Sequence, residues 1–474
     1  MKTTRRDILM MCGAAGTVVA GVAPASAGPD WDGYPRIMQG PRVGWTGPDV
    51  AMIWLRFSGN YEAILEYGID PSLRSARRSA PVQAKAETDF TVRLAAEGLQ
   101  PGQTIYYRVL IDGAPTIVDR GRRRWKTRAA PSADDRGRFR IAFGSCARYA
   151  VSPDQPVWDG VEKADPDLFL WLGDNIYGDN TSAEGLREEY RRQLSVTNLE
   201  PIQSRVPQLA IWDDHDFALN DSDRRNPVKK EALSAFRDYW ANPSYGLPSA
   251  PGVFFRHSFG QVDLFMLDNR YDRSPAGDPD GPDKTALGKV QLQWLMDELQ
   301  SSTAPFKVIA SGQGWTDAKA FGGESWASYL HERNMILDFI RQNAIRGVIL
   351  ISGDTHVAEM NVLPGGADGY DIVECVSSPL AQETAMSWLN YKPVPRLRQV
   401  YAGGVNFGLL DFDFTSDDPT VRLDIRNAQG DSVWDPVDLA ASDLQPGRSF
   451  WRARMDKVSA RRWQRFETTG VYYG

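Results

Sequence analysis

The strongest constraint on the fold is a pattern that occurs four times, a short apolar run that ends abruptly in polar residues. The runs with their endings are RIAFGSC, DLFLWLGD, LAIWDDH and GVILISGDTH. Apolar runs of this length indicate strands that are buried on both faces of a mainly parallel sheet. Because ligands of open α/β sheets bind beyond the carboxyl ends of the strands, we expect the four polar loops to converge on one crevice.

The sequence divides into two regions of different character. From about residue 37 to 128, short strand-like runs such as VAMIWLRF alternate with turns, which predicts a β-sandwich, and LQPGQTIYYRV resembles a strand of fibronectin type III-like domains. After the polar stretch TRAAPSADDRGR, strand-like runs alternate with amphipathic helical ones such as SAEGLREEYRRQL and HERNMILDFIRQN. We therefore predict a β-sandwich over 28–130 and a larger α/β domain over 138–474.

The first 27 residues have the features of a removable export signal. Arg5 and Arg6 precede an apolar stretch over residues 8–22, and the small residues ASA follow at the expected cleavage point. The arginine pair resembles a twin-arginine signal, which predicts the twin-arginine export machinery as a partner and a periplasmic or extracellular location. An ordinary Sec signal and a lipid anchor at Cys12 are the alternatives.

The net charge and the number of cysteines restrict the classes of function that the chain can have. The formal net charge is −7 at pH 7, and loss of the basic leader makes the mature chain more acidic, which argues against general nucleic-acid binding. No later run is long and apolar enough to span a membrane. Only Cys146 and Cys375 follow the leader, too few to staple an exported chain of this size, so a chemical role for one of them is expected.

The polar endings contain residue types that bind metal ions. Asp174, in LGDNIY, lies where a carboxylate could bridge two cations, and Tyr177 could add a phenolate, a ligand that suits ferric iron. Cys146 follows FGS at another strand end, and a thiolate there would be a strong ligand. The alternatives are that Asp174 caps a helix, Tyr177 packs through its ring and Cys146 is a buried structural thiol.

The remaining two endings supply a second group of ligands and a proton donor. In WDDHD, Asp214 could bind a second metal, and His215 beside it suits a general acid. In SGDTH, Asp354 and His356 could each bind one of the two metals. One site then combines sulfur, oxygen and nitrogen ligands, and the other is all oxygen, which favours Ca²⁺, Mg²⁺ or Mn²⁺ over Zn²⁺, with calcium first.

The motifs FGSC, LGDNIY, WDDHD and SGDTH, in this order, resemble those of the alkaline phosphatase D (PhoD-like) family of metallophosphoesterases, relatives of the purple acid phosphatases. The resemblance implies a calcineurin-like αββα sandwich with an N-terminal fibronectin type III-like domain. It implies a centre of Fe(III) with one or two Ca²⁺, for which Mg²⁺, Mn²⁺ or Zn²⁺ are less favoured substitutes. The metal ligands that it implies are Cys146, Asp174, Tyr177, Asp214, Asn220, Asp354 and His356.

Further residues are assigned by their place near these motifs. Arg148 and Asn175 could act on the phosphate beside the metals, because arginine matches phosphate bidentately. Arg270, in LDNR, and Gln313, near where the relatives carry another histidine ligand, could bind substrate, although Arg270 could instead form an ordinary ion pair. The chain departs from many relatives at Gly178, where they carry an acidic residue, and this bears on substrate preference.

The predicted reaction is hydrolysis of phosphate monoesters or diesters by a metal-activated hydroxide, with His215 as general acid. The expected substrates are phospholipid headgroups, cell-wall polymers or nucleotides, and the expected state is a monomer. One alternative is a phosphotransferase of phospholipase D type, in which an alcohol replaces water. The other is an inactive exported polymer-binding protein, against which the intact set of motifs argues.

Overall fold

The computed structural model describes residues 35–115, 124–319, 323–385 and 393–472. The predicted export signal over residues 1–27 and its cleavage point lie outside these ranges, so that prediction stays untested. From Pro35 onward the chain forms one compact unit. Within the described ranges, no helix combines the length and the apolar character that crossing a membrane requires.

The N-terminal region is built of strands, as the turn-rich pattern predicts. One sheet has the order β1-β2-β6, and in the other β3 and β7 pair centrally, with β4 and β5 beside β3 and with β8 and β9 beside β7. Its core includes Val92, Leu94 and Ala96, which alternate with more exposed residues along β6. The strands are β1 Ile37–Thr46, β2 Val50–Phe57, β3 Glu62–Gly68, β4 Arg77–Arg78, β5 Val82–Gln83, β6 Thr91–Glu97, β7 Thr104–Ile111, β8 Ala114–Pro115 and β9 Trp125–Arg128.

The larger region contains two mixed sheets, of six and seven strands, in the orders β12-β11-β10-β22-β23-β24 and β15-β16-β17-β18-β20-β19-β21. Strands β13 and β14 form a separate hairpin. The strands are β10 Arg138–Gly144, β11 Leu168–Leu172, β12 Gln208–Ile211, β13 Gly246–Leu247, β14 Ala250–Pro251, β15 Phe255–Phe259, β16 Val262–Met266, β17 Phe306–Ser311, β18 Val348–Ser352, β19 Ala358–Leu363, β20 Ile372–Val376, β21 Arg396–Tyr401, β22 Asn406–Asp413, β23 Thr420–Asn427 and β24 Val437–Ala440.

The two sheets pack face to face through aromatic side chains. Phe139 on β10 contacts Phe259 on β15 with ring centroids 5.3 Å apart, and Phe306 on β17 contacts Phe412 on β22 at 5.4 Å. Helices cover the sheets and contribute to the same hydrophobic core. The predicted αββα sandwich is therefore confirmed. The helices are α1 Val157–Ala164, α2 Ala183–Gln193, α3 Glu200–Gln203, α4 Asp214–Phe217, α5 Lys229–Tyr239, α6 Lys289–Ser301, α7 Leu330–Gln342, α8 Trp451–Arg454 and α9 Lys457–Thr469.

Parallel pairing brings the polar strand endings to one edge of each sheet. Strands β10, β11 and β12 are parallel neighbours, and so are β16, β17, β18 and β20. The edges of the two sheets meet where the main-chain N–H of Asp354 donates to Ser145 Oγ at 3.1 Å and that of Leu380 donates to the Ser145 carbonyl at 2.8 Å. The loop after β10 is thus held to those after β18 and β20 before any ligand is considered.

The β-sandwich packs on helices α2 and α5 through a buried carboxylate. Asp89 accepts hydrogen bonds from Arg56 at 2.9 and 2.7 Å, from Arg191 on α2 at 2.8 Å and from the hydroxyl of Tyr239 on α5. Nearby, the Trp54 indole N–H donates to the carbonyl of Asp238 at 2.8 Å. These contacts tie the sandwich to helices that follow two of the predicted motifs, LGDNIY and WDDHD.

Candidate metal centre

The loops of the predicted motifs turn sharply at their polar residues. The φ angles of Cys146, Asp174, Asp354 and His356 are 61°, 49°, 67° and 55°. Residues other than glycine rarely adopt this left-handed region, although asparagine, aspartate and histidine do so more often than the rest, and such residues cluster at functional sites. The strain is sustained by the buried strands on either side, which fix the direction of each loop.

Three of the four residues predicted to bind iron form one compact group. One ligand atom each of Cys146, Asp174 and His356 lie within 4.8 Å of one another. Cys146 Sγ is 3.5 Å from Asp174 Oδ2, and the Tyr177 hydroxyl is 3.1 Å from His356 Nε2. The structure therefore brings all four predicted residues together, with a donor set of sulfur, oxygen and nitrogen.

Asp174 also belongs to a second group, with Asp214 and His215, whose ligand atoms again lie within 4.8 Å of one another. Asp214 in turn forms a third group with Asp221 and Glu324. The main-chain N–H of Asp221 donates to Asp214 Oδ2 at 2.7 Å, which holds this loop against the centre. Asp174 is thus shared between a mixed group and a group richer in oxygen, as the prediction of a bridging carboxylate requires.

The charges of this centre fit a cation. Burial, with Asp214 and Asp213 nearby, raises the pKa of Asp174 well above its usual value. Burial raises the pKa of the Cys146 thiol well above its usual range, with Asp174 and Asp354 adding to the effect. Asp174 Oδ1 and Asp213 Oδ2 are buried without a hydrogen-bond partner among the described residues. A metal ion would satisfy these oxygens and remove the repulsion, so the residues fit a metal centre.

Two basic side chains accompany the carboxylates. Arg270 is fully buried and donates to Asp213 through Nε and to Glu324 through Nη2, the latter at 2.5 Å. Lys319 pairs with Asp354 through Nζ. Burial opposes ionisation of Glu324, but the charges of Arg270 and Lys319 prevail and lower its pKa to about 2. Arg270 and Lys319 therefore offset part of the negative charge of the carboxylates around this centre.

The structure places the predicted phosphate-binding residues differently from one another. Arg148 lies over the ring of Tyr177, with its guanidinium carbon 5.1 Å from the ring centroid. Asn175 is buried and donates from Nδ2 to the carbonyl of Ile211 at 2.8 Å. Gln313 is buried and accepts from Arg273. Since the guanidinium of Arg270 is engaged by acidic side chains, Arg148 is the best placed of the four to reach a ligand.

Asn220, predicted as a metal ligand through its amide oxygen, is exposed. Its neighbour Asp221 is the residue of this loop whose side chain joins the group around Asp214. The ligand role of Asn220 stays a prediction.

His215, a member of the second group, is held from two directions. Its Nδ1 is 2.6 Å from Asp179 Oδ1, and its ring packs on that of Tyr177 with centroids 4.1 Å apart. His215 is partly buried, whereas Asp179 is exposed. The ring is therefore oriented by a carboxylate and by an aromatic surface.

Comparison with known proteins shows to which family this chain belongs. The family model described as "PhoD-like phosphatase" matches residues 141–422, which is more than half of the chain. The chain belongs to the PhoD-like phosphatase family. The model for the N-terminal domain of the same family matches residues 23–130. The chain is therefore a phosphoesterase, and the predicted resemblance is confirmed.

Individual relatives agree with the family. "Alkaline phosphatase D" of Bacillus subtilis (strain 168) is 27% identical over 399 residues, covering 71% of this chain and 67% of the relative. A solved structure of PhoD covers 92% of this chain and 97% of its own, with a TM-score of 0.72 and 19% identity. A purple acid phosphatase from yellow lupin (Lupinus luteus) seeds covers 86% of this chain and 74% of its own, with a TM-score of 0.60 and 12% identity. Both structures share the fold.

Several residues of this PhoD-like centre escaped sequence reasoning. Asp221, Glu324, Lys319 and Asp179 all lie outside the strand endings, on irregular segments whose path depends on tertiary packing. Asp179 carried a usable signal, because it follows Tyr177 by two residues within LGDNIYGD. For Lys319 and Glu324, the sequence offers only an acid and a base in a glycine-containing loop, which is common on protein surfaces.

Proposed function

We propose that this PhoD-like phosphatase is an exported, metal-dependent enzyme that hydrolyses phosphate monoesters or diesters outside the cytoplasm. The observation that carries the proposal is the position of Asp174, whose carboxylate belongs both to the group with Cys146 and His356 and to the group with Asp214 and His215. A carboxylate shared in this way suits a centre of two adjacent cations.

The two sites differ in the metal that they would select. Fe(III) would be held by Cys146, Asp174, Tyr177 and His356, because a hard, highly charged ion suits phenolate and carboxylate and ionises a nearby thiol. Calcium would be held by the oxygen ligands of Asp174, Asp214 and Asp354, and Asp221 and Glu324 lie close enough to contribute further oxygens. The bound cations would supply the Lewis acidity that activates water and draws charge from the phosphoryl oxygens.

The side chains around the metals divide the remaining tasks. His215 donates a proton to the leaving oxygen, and Arg148, over the Tyr177 ring, contacts the phosphate. Asn175 fixes the loop after β11 through its bond to the carbonyl of Ile211. Arg270 offsets the negative charge of Asp213 and Glu324, with which it forms ion pairs. The substrates are esters of the kinds that occur outside the cytoplasm, such as phospholipid headgroups, cell-wall polymers or nucleotides.

The metal content of the protein purified from its export route tests the proposal. We expect iron and calcium in stoichiometric amounts by plasma mass spectrometry, with a visible absorption band from charge transfer to ferric iron. Cys146→Ala and Tyr177→Phe should each reduce iron content and alter the band, whereas His215→Asn should retain both metals and lower turnover. Cys375→Ala is the matched control, because this second buried thiol packs in the hydrophobic core and belongs to none of the groups of potential metal ligands found among the described residues.

Zinc or manganese without a visible band would contradict the iron assignment while leaving a phosphoesterase. Full iron content and activity in the Cys146→Ala variant would contradict it as well. A reaction run with added alcohol separates hydrolysis from phosphoryl transfer, because an alkyl phosphate product would show the phosphotransferase activity.

A further inference from the structure

We propose that Asp179 is a positioning residue that holds His215 with its Nε2 atom toward the leaving group. The inference rests on the proposed role of His215 as proton donor. It assigns a task to an exposed carboxylate that lies outside the metal-binding groups, and it makes the segment after Tyr177 part of the catalytic machinery.

The hydrogen bond between the two side chains determines which ring nitrogen is available. The Nδ1 atom of His215 is 2.6 Å from Asp179 Oδ1. Because a carboxylate only accepts hydrogen bonds, Nδ1 carries the proton in this pair. Nε2 is then the nitrogen left to exchange a proton with a ligand. This is the arrangement by which a carboxylate fixes the tautomer and the direction of a catalytic histidine.

Two further contacts hold the His215 ring and its main chain in place. The Tyr177 ring packs on it with centroids 4.1 Å apart and an angle of 31° between the planes. The main-chain N–H of Gly178 donates to the carbonyl of His215 at 3.1 Å. Three consecutive residues, Tyr177 to Asp179, therefore contact the histidine through a ring, a main-chain group and a carboxylate.

The close approach at Gly178 leaves no room for a side chain at this position, so the nearest carboxylate in this segment is that of Asp179. A Cβ atom on Gly178 would lie 2.9 Å from the carbonyl oxygen of His215 and would overlap the side chain of Leu186. A side chain at position 178 is thus excluded by the contact with His215. Asp179 has a φ of 39°, a left-handed conformation that aspartate tolerates better than most residues and that turns its side chain back to the ring.

The step that this geometry serves is the departure of the alcohol. As hydroxide forms the new P–O bond, the bond from phosphorus to the leaving oxygen breaks and its electron pair stays on that oxygen. The Nε2 proton of His215 passes to this oxygen, which leaves as the alcohol. The imidazole is left neutral and still donates from Nδ1 to Asp179, so the ring keeps its position through the reaction.

Dependence of the rate on the leaving group tests the inference. A poor leaving group such as an alkyl alcohol needs the proton far more than 4-nitrophenol does. We expect Asp179→Ala to lower kcat on an alkyl phosphate ester by about 10-fold or more, with a much smaller loss on 4-nitrophenyl phosphate and little change in KM. Asp179→Asn keeps an acceptor oxygen and should recover part of the loss. Glu188→Ala, at an exposed position on α2, is the control for removal of a surface carboxylate.

A double-mutant cycle with His215→Asn separates this inference from the proposal on which it rests. If Asp179 acts through His215, Asp179→Ala should have no further effect in the His215→Asn background. Equal losses on both esters, or a full additional loss in that background, would overturn the positioning role. If His215→Asn itself lowers the rate equally on both esters, the proposed proton donor is wrong. Iron and calcium content, measured for every variant, should be unchanged.

Discussion

At the scale of single residues, backbone strain is concentrated in residues that we predict to bind metal. Cys146 and His356 both have positive φ values, which cysteine rarely adopts and which histidine adopts less often than glycine does. A cysteine and a histidine in this conformation cannot relax into ordinary turns while the strands on either side stay paired. Strain of this kind holds side chains in place before a metal binds, and the free energy that it costs must come from packing elsewhere.

Gly353 allows two of these strained loops to touch. A Cβ atom there would lie 2.5 Å from the Cβ of Ser145. We expect Gly353→Ala to lower the free energy of unfolding by about 1–3 kcal/mol, because extra atoms in a close-packed contact force the main chain apart. Activity should fall as well, since Asp354 follows directly. Chemical denaturation measures the first effect, and Gly277→Ala, where a Cβ would meet nothing within 4 Å, is the control.

At the scale of elements, the sequence predicted the strands and helices better than the segments between them. Wholly apolar runs identified β11, β12 and β18, which are buried along their whole length, and amphipathic patterns identified α2 and α7. These patterns are local, so they can be read from neighbouring residues. The convergence of the loops was also predictable, because parallel strands end at the same edge.

The contributions of Lys319 and Glu324 to the centre could not be predicted in this way. Their side chains reach it because their segments fold back onto it, which depends on residues far away in the sequence. Lys319 pairs with Asp354, 35 residues later, and Glu324 pairs with Arg270, 54 residues earlier. No local pattern encodes such distances.

Asp216, on the short helix α4, joins the loops after β11 and β12. Its carboxylate accepts from the main-chain N–H groups of Asn175 and Asp213 at 3.1 and 3.2 Å and from the Tyr190 hydroxyl at 3.0 Å. Asp216→Ala should lower the free energy of unfolding by about 3 kcal/mol, because it leaves buried hydrogen-bond donors without an acceptor. Burial raises the pKa of Asp216 to about 7, so a neutral side chain is acceptable there. Asp216→Asn should therefore cost less, and equal losses in the two variants would contradict this account.

At the scale of the whole molecule, the β-sandwich and the α/β region meet at an interface that contains a buried cluster of charged side chains. Asp89, with a φ of 51°, pairs with Arg56 and Arg191 and accepts from Tyr239. Asp89→Asn keeps the shape and tolerates the left-handed conformation, but it removes the buried negative charge that pairs with Arg56 and Arg191. We expect a loss of about 3 kcal/mol in the free energy of unfolding. Thermal or chemical unfolding measures it, and Glu87→Gln, an exposed neighbour, should change little.

The same interface makes stability depend on pH. His257, on β15, is buried against Trp45 of the sandwich, and this burial lowers its pKa from 6.5 to about 4. Between those values the unfolded chain takes up a proton that the folded chain does not, so stability is present above pH 6.5 and is lost as the pH falls toward 4. The loss amounts to about 3 kcal/mol. Denaturant unfolding at pH 7.5 and 4.5 should show a smaller difference for His257→Asn than for the unsubstituted protein, and His331→Asn, an exposed control, should preserve the difference.

Cys146 and Cys375 are both free and buried, and neither is bonded to the other. The part of the chain that the structure describes therefore contains no disulfide bond. Its folding calls for no thiol oxidant and no disulfide shuffling, and a mild reductant in the buffer would break no bond in it. For the experimenter, a change in activity on adding a thiol would report an effect at the proposed metal centre, through competition with Cys146 or reduction of ferric iron, and not the loss of a disulfide between Cys146 and Cys375.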